Sequence, residues 1–176
     1  VVLQRSGSLV TLRVDSDLPG SGTTPSYAHP QSNDTIWGPI FEKAYAFVRA
    51  GSNTYESLDW GAVTDGLAAL GYQTESISTS QSDGDLATTL LAELSAGKTV
   101  LMATPSTISG GAPLIGSHEY SLVSVTLAQD GSYRYTFRNP WGFDGAGNDA
   151  NTSDGLVTLS LSQFSTNDYG SLWTNV

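Results

Sequence analysis

The 176-residue chain contains no cysteine. That excludes disulfides and thiolate-bound metal within it, and it leaves no thiol to act as a nucleophile. Positive charge is scarce too: seven Lys and Arg stand against 17 Asp and Glu, for a net charge of −10. Phosphate backbones would be repelled, so no nucleic-acid partner is expected, and an anionic membrane surface is disfavoured for the same reason. No apolar run approaches the ~18 residues needed to cross a bilayer. There is no initiator Met, no signal-peptide pattern, no internal repeat and no long charge run. The chain opens on strand-like "VVLQRSGSLVTLRV", as expected of a piece cut from a longer polypeptide.

What is present suits a globular domain. A hydrophobic fraction of 39% and this length allow one domain with a respectable core. Abundant Ser, Thr, Asn and Gly with few Lys gives the flavour of a secreted or cell-surface bacterial protein. "SLVTLRVDSDLPGSG" alternates through Leu9, Thr11 and Arg13, then breaks at Pro19-Gly20, which predicts a strand and a turn. In "TIWGPIFEKAYAFVRAGS" the residues Ile40, Ala44, Phe47 and Val48 share one helical face with Phe41 beside them, and Gly51 supplies a stop. "YESLDWGAVTDGLAALGY" reads as a helical turn and a weaker second helix, its glycines counting against it. "DLATTLLAELSAGKTVLMAT" carries a stripe of Leu86, Leu90, Leu91 and Leu94, a stop at Gly97 and a buried strand. "EYSLVSVTLAQDGSYRYTFRN" predicts a hairpin around Gln129-Asp130-Gly131, and "GLVTLSLSQF" a strand followed by a turn of helix. Helices first and antiparallel strands later argue for an α+β fold.

Two polar residues bracket that hairpin. His118 stands at the start of its first strand and Asn139 closes its second. Taken singly, each reads more simply as structural. Paired, they gain a chemical meaning. The hairpin brings its two ends together, and a residue before proline is held extended, so the Asn139 amide has a fixed direction. An amide oxygen there would accept from one imidazole nitrogen and leave the other facing a nucleophile. His29, in "SYAHPQ", reads as a surface residue of a polar loop. Trp37, Phe41, Tyr45, Trp60 and Tyr72 are spaced for core and interface packing, and nothing further recommends them as a carbohydrate platform.

Four stretches in order resemble the calpain family of papain-like cysteine proteases: "VTLRVDSDLP", "EKAYAFVRAGSNTYESLDWG", "HEYSL" and "RNPWG". Together they reach from about Val10 to Phe164. The resemblance implies an incomplete papain-like architecture, with residues 1–176 as the C-terminal portion of a catalytic domain. About 1–80 would end its helical half, and about 81–176 would form the antiparallel half. It further implies that His118 is the general base and acid, that Asn139 orients it, and that Trp141 shields their hydrogen bond. The family's nucleophilic cysteine and its oxyanion-hole glutamine belong to a segment before "VTLRVDSDLP". The implied function is a Cys-His-Asn endopeptidase acting on polypeptides, inactive without that segment. A pseudo-protease, or a secreted binding or adhesion module on the same scaffold, is the alternative.

Departures from the family pattern are specific. Ser117-His118-Glu119 stands where the family usually has Gly-His-Ala, and strand alternation turns Glu119 to the face opposite His118. The loop "FDGAGNDANTSDG" lacks the family's usual tryptophan-rich stretch. Its Asp144, Asp149 and Asp154 offer hard oxygen ligands for calcium, although a solvated acidic loop is the simpler reading. No cofactor is otherwise implied.

Overall fold

The computed structural model describes residues 1–21, 24–25, 36–59, 61–145, 151 and 153–176. His29, Trp60 and Asp149 lie outside the described residues. The chain is α+β and divides into two compact units, Val1–Gln73 and Thr74–Val176.

In the first unit, β1 (Val2–Arg5) and β2 (Ser8–Thr11) form a hairpin in the register Val2↔Thr11 to Arg5↔Ser8. Ser6 and Gly7 make its two-residue turn with φ of 50° and 78°, the positive pair that matches strand twist. A small ribbon follows, β3 (Gly20–Ser21) against β4 (Thr24–Pro25). The helix anticipated at "EKAYA" is α1 (Trp37–Ala50), ended by Gly51 in a left-handed conformation whose N–H donates to Phe47 O at 2.8 Å. Its buried side is set by Ala44 and Val48, with Phe41 beside them, against Leu3 of β1. Phe47 falls outside that stripe at 40% exposed, because 100° per residue carries it to the edge of the helix face. Trp37 is exposed as well, at 75%, so it takes no part in this core. A single 3₁₀ turn, Glu56–Leu58, precedes the short α2 (Asp65–Ala69), which adds Ala69 to the cluster.

The second unit is a six-stranded, wholly antiparallel sheet in the order β5-β10-β6-β7-β8-β9. Its strands are β5 (Thr74–Ser78), β6 (Val100–Ala103), β7 (Glu119–Leu127), β8 (Tyr133–Arg138), β9 (Leu156–Leu159) and β10 (Ser171–Asn175). Two helices join it, α3 (Asp83–Ser95) and α4 (Leu161–Ser165). α3 starts on Ser82, which accepts the Asp85 N–H, and it lays Leu86, Ala87 and Leu90 onto the sheet. Leu91, expected in that stripe, points to solvent at 41% exposed, and Ala87 takes the place beside Leu90. Asp83 ties the helix to β8, accepting the Tyr133 N–H at 2.9 Å and the Tyr135 hydroxyl at 2.7 Å. The core is aromatic at its centre, where Phe164 of α4 meets Tyr135 and Phe137 edge-on.

β7 and β8 form the expected hairpin, with an irregularity between Leu122 and Ser124. The extra residue, Val123, is 44% exposed, and it shifts the buried positions from Tyr120 and Leu122 to Val125. Both terminal strands of this unit, β5 and β10, carry weak sequence signals, since each mixes polar residues with one or two buried ones. Among the described residues no helix is long and apolar enough to cross a membrane.

Candidate active site

His118 immediately precedes β7, and Asn139 immediately follows β8. Antiparallel pairing of Ser121 with Arg138 brings these flanking positions together. The His118 Nε2 and Asn139 Oδ1 atoms lie 2.9 Å apart, a direct hydrogen bond. Asn139 is buried, at 1% exposed, and His118 is half-buried.

The surroundings assign the protons. Asn139 Oδ1 also accepts the Trp141 backbone N–H at 3.0 Å, and its Nδ2 donates to the Asp144 carbonyl at 3.1 Å. Exchanging the amide's oxygen and nitrogen would set donor against donor and acceptor against acceptor, so this orientation is fixed. Oδ1 can only accept, and Nε2 therefore carries the hydrogen. The neutral imidazole keeps its lone pair on Nδ1, which is the atom able to take a proton. Burial holds the His118 pKa below its ordinary 6.5, and the hydrogen bond that Nε2 donates to the Asn139 oxygen opposes that shift only in part. At neutral pH, in this chain alone, the ring is an uncharged base.

Rings wall the imidazole on two sides. Trp141 is tilted over it with centroids 4.4 Å apart, and Tyr120 meets it edge-on at 5.1 Å. Trp141 itself is 39% exposed and continues into Phe143, with centroids 5.7 Å apart. The contact between His118 and Tyr120 puts residues 118 and 120 on one face, and Glu119 between them falls on the other.

Backbone anchors not singled out in the sequence hold these side chains. Thr104, at the end of β6, exchanges hydrogen bonds with the His118 main chain. The Tyr120 hydroxyl accepts the Ile115 N–H at 2.8 Å. Ser117, one residue before the histidine, has φ of 51°, a left-handed backbone that glycine adopts more readily. Gly116 has no room for a side chain, since a Cβ there would lie 2.4 Å from the Ser106 carbonyl oxygen. Only a threonine at a strand end and the single Gly116 hint at these anchors in the sequence.

The two aspartates among the described residues, Asp144 and Asp154, separate. Asp144 is buried, and its carboxylate accepts the Gly155 N–H at 3.0 Å. Gly155 in turn accepts the Asn139 N–H at 2.8 Å, so Asp144 braces the segment that carries Asn139. Asp154 accepts the Leu156 N–H at 2.9 Å and the Asn151 amide at 3.1 Å. Among the described residues no three His, Asp or Glu side chains gather as a metal would require.

A family model described as "Calpain family cysteine protease" matches residues 1–156, which takes in both sides of this dyad. The chain belongs to the calpain family of cysteine proteases. No curated protein matches the chain. Membership makes polypeptides the substrate class, and the α+β architecture with its antiparallel sheet is that of part of a papain-like calpain domain.

Proposed function

We propose that this chain supplies the histidine–asparagine half of a Cys-His-Asn endopeptidase site, and that the thiol comes from a polypeptide segment outside this sequence. The observation that carries the reading is the bond from His118 Nε2 to Asn139 Oδ1, which leaves Nδ1 as a base. In the reaction, Nδ1 takes the thiol proton as sulfur attacks the peptide carbonyl carbon. The imidazolium then returns that proton to the departing amine nitrogen as the C–N bond breaks, leaving a thioester. Water attacks the thioester with Nδ1 again as base, and sulfur leaves with the proton. Asn139 holds the ring in one orientation throughout, and Trp141 limits water at the hydrogen bond.

With no cysteine, the 176 residues alone can orient a proton carrier but cannot form the thioester. The test is a polypeptide extended upstream of Val1, assayed on peptide substrates with and without an alkylating agent. Thiol-dependent turnover, abolished by His118→Ala and reduced less by Asn139→Ala, is the expected result. Proteolysis by the 176-residue chain itself, or turnover indifferent to His118, would overturn the reading. An extended polypeptide without a thiol would point instead to a binding role on the same scaffold.

A further inference from the structure

Thr104 is 2% exposed and directs both of its hydrogen-bonding groups at the loop that ends in His118. Its backbone N–H donates to the His118 carbonyl at 2.9 Å. Its hydroxyl oxygen accepts the His118 N–H at 3.0 Å. The single hydroxyl hydrogen has two carbonyls in range, Ile115 O at 2.7 Å and His118 O at 3.0 Å. The shorter contact, to an oxygen not already served by the Thr104 N–H, takes the proton. His118 is thus gripped on both sides of its Cα by one residue, and the grip extends through Ile115 to the Tyr120 hydroxyl.

The grip matters because of what precedes the histidine. Ser117 sits at φ 51° and Gly116 is pressed against the Ser106 carbonyl, so the chain reaches His118 through a sharp bend. A main chain bent this way would relax if released, and the imidazole would swing with it. We infer that Thr104 is a positioning residue for the reaction proposed above: by fixing the His118 main chain, its hydroxyl keeps Nε2 on the Asn139 oxygen. The assignment rests on the peptidase reading for its purpose, though its geometry can be measured without turnover.

The experiment labels histidine with ¹⁵N and follows exchange of the Nε2-bound proton with solvent by NMR. The chain has two histidines, so His29→Gln and His118→Gln assign the signals. Thr104→Val keeps the side-chain shape and removes both hydroxyl bonds. It should speed exchange of the His118 Nε2–H at least about tenfold, and Thr104→Ser should stay within about twofold of the parent. A folded Thr104→Val chain with parental exchange overturns the assignment, as does Thr104→Ser exchanging as fast as Thr104→Val. If Thr104→Val does not fold, Thr104→Ala against Thr104→Ser makes the same comparison, with the same two outcomes. In the thiol-bearing extended polypeptide, Thr104→Val should lower kcat with KM unchanged, and Thr104→Ser should restore it. Fast exchange in Thr104→Val with no peptidase activity in the extended parent would sink the peptidase reading and leave the grip standing. Turnover that needs His118 yet ignores Thr104→Val would do the reverse.

Discussion

Removing the Asn139 side chain strips partners from three groups at once: the His118 ring N–H, the Trp141 N–H and the Asp144 carbonyl. With Asn139 buried, Asn139→Ala should cost roughly 2–4 kcal/mol of stability, read from urea unfolding. A loss below about 0.5 kcal/mol would mean that water or a shifted loop replaces the amide without strain. Asn139→Asp separates charge from shape. A carboxylate beside the ring favours imidazolium, so the His118 pKa should rise above 6.5 in an NMR titration, whereas in the parent it lies below. The sign for stability follows from the parent's lowered value. The folded state releases the His118 proton more readily than the unfolded chain does. The stability held in this way is complete above pH 6.5 and drains away as pH falls through the folded pKa. The urea midpoint should therefore fall from pH 7.5 to pH 5.5, and by less in His118→Gln. Equal falls in the two proteins would show that His118 does not couple folding to pH.

At the scale of elements, the hairpin was legible because its pattern is local. Alternation in "EYSLVSV" and "YRYTFR" around Asp130-Gly131 names two strands and their partner, and the dyad follows from their ends. α1 and α3 were legible for the same reason, through helical spacing and glycine stops. Phe47 and Leu91 were not, because both lie at the margin of a stripe where only the neighbouring element decides which side is covered. β5 and β10 escaped because their pairing is mutual and long-range: Ile77 meets Leu172 across about a hundred residues of chain. Thr104 escaped because its role depends on a carbonyl and an amide that no local pattern reveals. The bulge at Val123 turns this distinction into a measurement. Val123→Thr leaves the backbone count intact at an exposed position and should change stability by less than about 0.5 kcal/mol. Deleting Val123 removes the extra residue, forcing either Tyr120 and Leu122 or Val125 off the core face. Circular dichroism and urea unfolding should show the deletion largely unfolded. A deletion variant of parental stability would mean that the bulge is dispensable and that the strand ends tolerate a new register.

For the whole molecule, the two units differ in what each buries. Thr74–Val176 places aromatic and aliphatic residues from all six strands and both helices in one continuous cluster, with Tyr120, Tyr135, Phe137 and Phe164 at most 1% exposed. Among the described residues of Val1–Gln73 the cluster has four buried members, Leu3, Ala44, Val48 and Ala69, two of them alanines that contribute little apolar area, with Val10, Leu12, Val14, Phe41 and Tyr45 only partly buried against them. Its exposed residues include Leu9 at 72%, Trp37 at 75% and Tyr72 at 48%. At ~25 cal/mol per Å² of apolar area buried, four buried side chains, two of them alanines, with partly buried neighbours beside them offset less of the ~1–2 kcal/mol of backbone entropy that each ordered residue costs than the larger cluster under the sheet does. Opening of this unit should therefore take less free energy than global unfolding, and hydrogen exchange reads that difference directly. In the 176-residue chain, amides of β1, β2 and α1 should exchange well before those of β6, β7 and β8. Leu3→Ala, worth roughly 2–5 kcal/mol where the cavity cannot collapse, should accelerate the first group and leave the second unchanged. Phe137→Ala should accelerate the strands of the sheet. Equal protection in both units, or a Leu3→Ala effect spread evenly over the chain, would show that the two unfold as one cooperative body. The site residues all belong to the second unit, so differential exchange would also mean that the His118–Asn139 bond survives when the helical unit opens.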